Sequence, residues 1–194
     1  MRMEILIPRT EAEIDAAYER LADAACLGCD TETSGLNSRF GRLFSIQFSD
    51  GDISVLVPLS ENVGLGSLAR LLADPSITKV LHNAKFDLDF LNAAGLETVN
   101  VFDTMLAEKV LTRGAHQSAS LAETLYRYFA VDLDKTQRKK FHSRWDGVWT
   151  DELVEYALAD VLHLPKLREE QTAWLERLAL SAEYDAALAK LFAS

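Results

Sequence analysis

The chain opens with short runs of period-two alternation interleaved with amphipathic stretches, then turns helical for its remainder. MEILIP (3–8) alternates and predicts a short strand. TEAEIDAAYERLADAA (10–25) predicts an amphipathic helix, with Thr10 as N-cap and Glu13 three residues on completing a capping box. CLGCDT (26–31) is short, apolar and bounded by turn signals, as a buried strand would be. RLFSIQFSD (42–50) and ISVLVPL (53–59), split by Gly51-Asp52, predict a β-hairpin. A helix over 65–75 is stopped by Pro75, a strand follows over 77–83, and KFDLDFLNAAG (85–95) forms a helix ending at Gly95. VNVFD (99–103) is a brief strand leading into a helix over 104–111. Further helices are expected over 120–130, 151–164, 167–180 and 182–193, with Pro165 kinking or restarting the chain. A hairpin followed by βαβ units predicts an α/β fold: a mixed sheet of five or six strands flanked by helices, with a helical C-terminal part.

The 194 residues suit one domain, and 48% apolar with 26% charged residues predicts a packed core. No run approaches 18 apolar residues, and MRMEILIPRT lacks the apolar region of a signal peptide. A cytoplasmic protein with no membrane partner is the expectation. A net charge of −10 argues against a protein that coats nucleic acid, but not against an enzyme that grips a strand end through cations. KTQRKKFHSR (135–144) is the local exception, with Lys135, Arg138, Lys139, Lys140 and Arg144 and no acid. It is either a solvated face or, with Phe141 and Trp145 beside it, a strand-binding lip.

CLGCDTETSG (26–35) holds two candidate motifs. Cys26-x-x-Cys29 lacks the second pair a zinc site needs, and in a strand its members face opposite ways, so both cysteines read as structural. Asp30 and Glu32 share one face by the same alternation. Two carboxylates that close repel unless cations lie between them. Asp87 follows at the start of a helix just after a strand, where α/β sheets form crevices, and Tyr156 and Asp160 lie four apart on one helical face.

Together DTET, HNAKFDLDFL and YALAD resemble the three motifs of the DEDD 3′–5′ exonucleases. The tyrosine four residues before the last aspartate resembles the DEDDy branch, which includes the proofreading domains of family A DNA polymerases, ribonuclease D and the Werner-type exonucleases. The resemblance runs from about Ile5 to Arg168, and FDTMLAEKVL and SLAETLYRYFAVDLDK look like the family's connecting helices. It implies a ribonuclease H-like fold and a single exonuclease domain over 1–194, its catalytic core at about 5–168 and C-terminal helices over 167–194.

The resemblance further implies two divalent ions, Mg2+ or Mn2+, which carboxylate oxygens suit. Asp30, Glu32 and Asp160 would hold the ion that activates water, and Asp30 would bridge to a second ion reached by Asp87. Tyr156 would orient the water. Glu32 and the backbone near Thr31 would meet the terminal 3′-hydroxyl, Leu36 would wedge against the terminal base, and Asn83 and Phe86 would contact the strand. Phe141 and Trp145 would stack on bases and Lys135 would meet phosphates. His82, His142 and His163 are treated as bystanders.

The expected activity is hydrolysis from the 3′ end of single-stranded nucleic acid, releasing nucleoside 5′-monophosphates, with DNA favoured slightly over RNA. The alternatives are a ribonuclease D-like or oligoribonuclease-like RNA exonuclease, and a catalytically silent nucleic-acid-binding scaffold. No polymerase domain and no helical RNA-binding domain is recognisable, so the chain is a stand-alone domain or a piece of something larger. The oligomeric state stays open. So does the role of AEYDAALAKLFA: a core helix, a dimer contact, or the stump of a missing domain.

Overall fold

The computed structural model describes residues 4–59, 63–113, 115–134 and 136–192. Its centre is one six-stranded mixed sheet in the order β1-β4-β3-β2-β5-β6. The strands are β1 (Glu4–Leu6), β2 (Cys26–Thr33), β3 (Leu43–Ser49), β4 (Ile53–Pro58), β5 (Thr78–Leu81) and β6 (Val101–Asp103). The hairpin is present: β3 and β4 pair antiparallel across a turn in which Gly51 takes φ +103°. β2 pairs antiparallel with β3 and parallel with β5, and β6 extends the parallel half.

Eight α-helices accompany the sheet among the described residues: α1 (Glu11–Leu21), α2 (Ala69–Ala73), α3 (Ala84–Ala93), α4 (Thr104–Thr112), α5 (Leu121–Phe129), α6 (Asp151–Leu162), α7 (Leu164–Arg177) and α8 (Ser181–Phe192). The capping box of α1 forms as expected from Thr10 and Glu13. Pro165 restarts the chain: it stands in the first turn of α7, where its missing N–H has no helical partner to lose. The helix expected over 65–75 is shorter, a 3₁₀ turn at Gly66–Leu68 running into α2, because Asp74 leaves the helix to accept the Ser76 backbone N–H. No helix among the described residues is long and apolar enough to cross a membrane.

Two cores lie against the sheet. Leu27, Cys29, Ile46, Phe48 and Val55 pack with α1, α2 and α3. Val80, Phe102 and Leu56 pack with α4 to α8. Cys26 joins the second core and Cys29 the first, as the alternation requires, and both thiols are free. Burial pushes the Cys29 thiol far up, so it stays a neutral apolar group. Helix α8 docks on the second core through a single buried residue, most of its others being exposed. Tyr184 of α8 is buried, its ring centroid 4.9 Å from that of Phe102, and its hydroxyl accepts the Asp103 backbone N–H at 2.9 Å.

Candidate active site

The site begins with the backbone of β2. Gly28, Asp30 and Glu32 share the face covered by α6 and α7. A Cβ on Gly28 would lie 2.3 Å from the Val161 carbonyl oxygen, so only glycine lets α6 approach this closely. The residue before Val161 is Asp160, so the same close approach holds Asp160 near β2, where it lines one cleft with Asp30. One turn earlier on α6 stands Tyr156. Its ring packs at 6.0 Å on Phe141, which also meets Trp145 and Trp149 at 5.1 and 5.5 Å.

Asp87 reaches the same place from α3 by a different route. The chain leaves β5 through Asn83, which adopts the left-handed conformation at φ 70° and makes no side-chain cap. The cap comes from β6 instead. Asp103 accepts the backbone N–H groups of Asn83 and Ala84 at the start of α3, and of Met105 and Leu106 at the start of α4. One buried carboxylate thus fixes two helix N-termini. From the other side, the buried Thr31 hydroxyl donates to Asp87 Oδ1 at 2.6 Å.

These routes meet in an open cleft of about 420 Å³, whose wall includes Asp30, Leu36, Asn83, Asp87, Tyr156 and Asp160. Thr31 and Phe86 line it as well. Glu32 lies two residues beyond Asp30 on the same strand face, buried, and is not part of the cleft wall. Directly after it the register shifts: Glu32 faces Ser45 while Thr33 faces Leu43, leaving Phe44 as the extra residue of a bulge.

Other expected substrate contacts lie elsewhere. Phe141 is 8% exposed, with its ring against Trp145, Trp149 and Tyr156, so it packs in the core where base stacking had been expected. Trp145 is half-buried, edge-on to Phe44 at 4.9 Å. The apolar residues flanking the basic run are turned inward to cover α6. Lys135 lies outside the described residues. Conversely, His82, Met105, Ser120, Leu121 and Ala122 also line the cleft. His82 opens HNAKFDLDFL but reads from the sequence as a bystander, and the start of α5 carries no signal of a cleft residue.

Among the described residues, no three His, Cys, Asp or Glu side chains converge into a ready-made metal cage. The donor chemistry nevertheless fits hard divalent ions. Asp30, Asp87 and Asp160 offer carboxylate oxygens without a cysteine. Asp87 is 2% exposed, and burial, with the negative charge of Asp103, raises its carboxyl above the usual range despite the Thr31 hydrogen bond. A buried carboxyl of this kind gains most from a nearby cation.

A model of the 3′–5′ exonuclease family matches residues 5–175. The chain belongs to this family. Ribonuclease D of Jannaschia sp. (strain CCS1) is 32% identical over 183 residues, covering 86% of this chain and 46% of the relative. DNA polymerase I of Aquifex aeolicus (strain VF5) is 30% identical over 164 residues, covering 82% and 26%. This exonuclease-family chain therefore spans less than half the length of those relatives. Among solved structures, Brucella melitensis NrnC bound to pGG superposes with a TM-score of 0.81 at 28% identity, covering 98% of this chain and 90% of that one. Escherichia coli RNase D gives 0.81 at 26% identity, covering 99% and 50%. The six-stranded mixed sheet with flanking helices is the ribonuclease H-like fold of these neighbours.

Proposed function

We propose that the chain is a metal-dependent 3′–5′ exonuclease that releases nucleoside 5′-monophosphates from the 3′ end of a single strand. The observation that carries this is the meeting of Asp30, Asp87 and Asp160, from a strand and two separate helices, with Tyr156 on one cleft. Asp30, Glu32, Asp87 and Asp160 would hold two divalent ions, Mg2+ or Mn2+. Such a pair, when bound, lowers the pKa of an attacking water and offsets charge on the phosphate. Tyr156 donates its phenolic hydrogen bond to that water and orients it. Leu36 borders the terminal base, Asn83 and Phe86 flank the strand, and Glu32 with the Thr31 backbone meets the terminal 3′-hydroxyl.

The strand is DNA or RNA. The second motif, HNAKFDLDFL, supports DNA through its likeness to polymerase proofreading domains. RNA, and short RNA in particular, is the second reading. It is supported by the ribonuclease D relatives and by the NrnC neighbour bound to pGG. The test runs 5′-labelled single-stranded DNA and the matching RNA with Mg2+, with Mn2+ and with EDTA, beside Asp30→Ala. A ladder shortening from the 3′ end, lost with EDTA and with the variant, is the expected result, and the faster strand decides the substrate. A folded, metal-loaded protein that shortens neither strand would sink the proposal.

A further inference from the structure

The turn between β2 and β3 exposes more apolar surface than a monomer's loop needs. Leu36 is 82% and Phe40 87% exposed, the two most exposed large hydrophobic side chains among the described residues. The turn is held in shape by its own bonds. Asn37 accepts the backbone N–H groups of Phe40 and Gly41 on its carbonyl and that of Arg39 on its side chain, while Ser34 and Arg42 pair across the base. It is also docked: a Cβ on Gly41 would lie 2.8 Å from the Phe90 ring, and Phe90 stacks at 5.2 Å on Phe86 in the cleft wall. The exposed phenyl is thus carried on a fixed turn whose Leu36 already borders the cleft.

Charge indicates what covers it. The chain carries −10 overall, yet the residues between Glu32 and Asp50 include Arg39 and Arg42 and no acid. Both arginines are exposed. An exposed aromatic beside two exposed arginines, at the mouth of a cleft lined by carboxylates, suits the bases and phosphates of a single strand. We propose that this turn is a stacking lip for the strand outside the cleft, with Phe40 against a base and Arg39 against a phosphate. The inference rests on the exonuclease reading and adds to it a grip on strands longer than the cleft holds.

The experiment compares wild type, Phe40→Ala, Phe40→Trp and Arg39→Ala with Mg2+. Substrates are a seven-nucleotide strand and the 5′-phosphorylated dinucleotide of the same terminal sequence, each as DNA and RNA. Phe40→Ala should raise KM for the longer strand about tenfold, within the range of one base–aromatic stack. It should leave kcat unchanged and the dinucleotide KM within about twofold, and Phe40→Trp should restore binding. Arg39→Ala should weaken binding of the longer strand and lower its salt slope by about one. An unchanged KM for the longer strand, an equal rise for both lengths, or a Phe40→Ala protein whose mass by light scattering halves would overturn the proposal. Cleavage by wild type without a Phe40 effect removes this inference alone. Wild type inert on both lengths removes the exonuclease reading with it.

Discussion

Packing of α6 on β2 shapes the wall of the cleft that carries Asp30, Tyr156 and Asp160, and hydrogen bonds of Asp103 and Thr31 shape the wall that carries Asp87. On the first, the missing side chain of Gly28 admits the Val161 carbonyl, and Phe141 fills the space behind Tyr156. On the second, Asp103 gathers four backbone N–H groups and Thr31 steadies Asp87. Close packing places a helix to within the fit of its neighbours, so an added methylene pushes it away. A buried carboxylate network fails differently, because a donor left without its acceptor costs its full desolvation. The two walls should therefore fail in different ways when a single residue is changed.

The harshest break falls on the hydrogen-bonded wall. Asp103→Ala strands four N–H groups at two helix starts, that of Ala84 buried and the others partly so, and should cost about 3–5 kcal/mol. Thermal unfolding would read this directly, and Asp103→Asn, which keeps one acceptor, should lose clearly less. Equal melting of Asp103→Ala and wild type would mean the helix starts are held by something else. On the packed wall, Phe141→Ala should cost about 3–4 kcal/mol through the cavity it leaves behind Tyr156. Were Phe141 a base-stacking residue instead, the variant would keep its stability and raise KM, so melting and kinetics on the same sample separate the two roles.

The difference between the walls also explains what the sequence disclosed. Alternation along β2 was enough to put Asp30 and Glu32 on one face, and a four-residue spacing was enough to bring Tyr156 and Asp160 to one cleft, because both are local regularities. The succession of strands and helices along the chain was legible for the same reason, apart from the exact ends of α2, whereas the order of strands across the sheet was not. Asp103 was not legible. It reads as the last residue of a brief strand, and its role appears only when β6 lies parallel to β5 and reaches the backbone at Asn83. Gly28 was hidden inside an apolar run, since only the approach of Val161 shows why a side chain is excluded. The aromatics were poorly legible: Phe141, expected in a strand-binding lip, is buried, and Phe40, in a loop that drew no expectation, faces solvent. Whether an aromatic points inward is decided by tertiary packing, which composition around it does not report.

A milder probe of the packed wall is Gly28→Ala. One methyl against a backbone carbonyl forces α6 away from β2 at an expected cost of about 1–3 kcal/mol, read from the urea midpoint. Gly64→Ala is the control, since a Cβ there meets nothing within 4 Å. If both variants unfold at the midpoint of wild type, the close approach of α6 is not required for stability. If Gly28→Ala alone shifts, Asp160 has been moved with its helix, and divalent-ion binding should weaken alongside.

The smallest expected change in stability, and the most selective, is Thr31→Val. The substitution keeps the shape of a buried side chain and deletes one donor, the hydroxyl 2.6 Å from Asp87 Oδ1. Loss of that bond should cost about 1–2 kcal/mol. Its sharper effect should fall on metal binding, because a carboxylate no longer held in place must be ordered by the ion itself. Removing such an orienting partner typically weakens affinity by about 10-fold or more. The measurement is the rise in melting temperature with added Mg2+, which reports ion binding by mass action without any turnover. Thr31→Val should need roughly tenfold more Mg2+ for the same rise, while Thr31→Ser, which keeps the hydroxyl, should follow wild type. A Val variant with the wild-type Mg2+ response would mean that Asp87 is positioned by α3 alone. The hydrogen-bonded wall would then reduce to the cap that Asp103 provides.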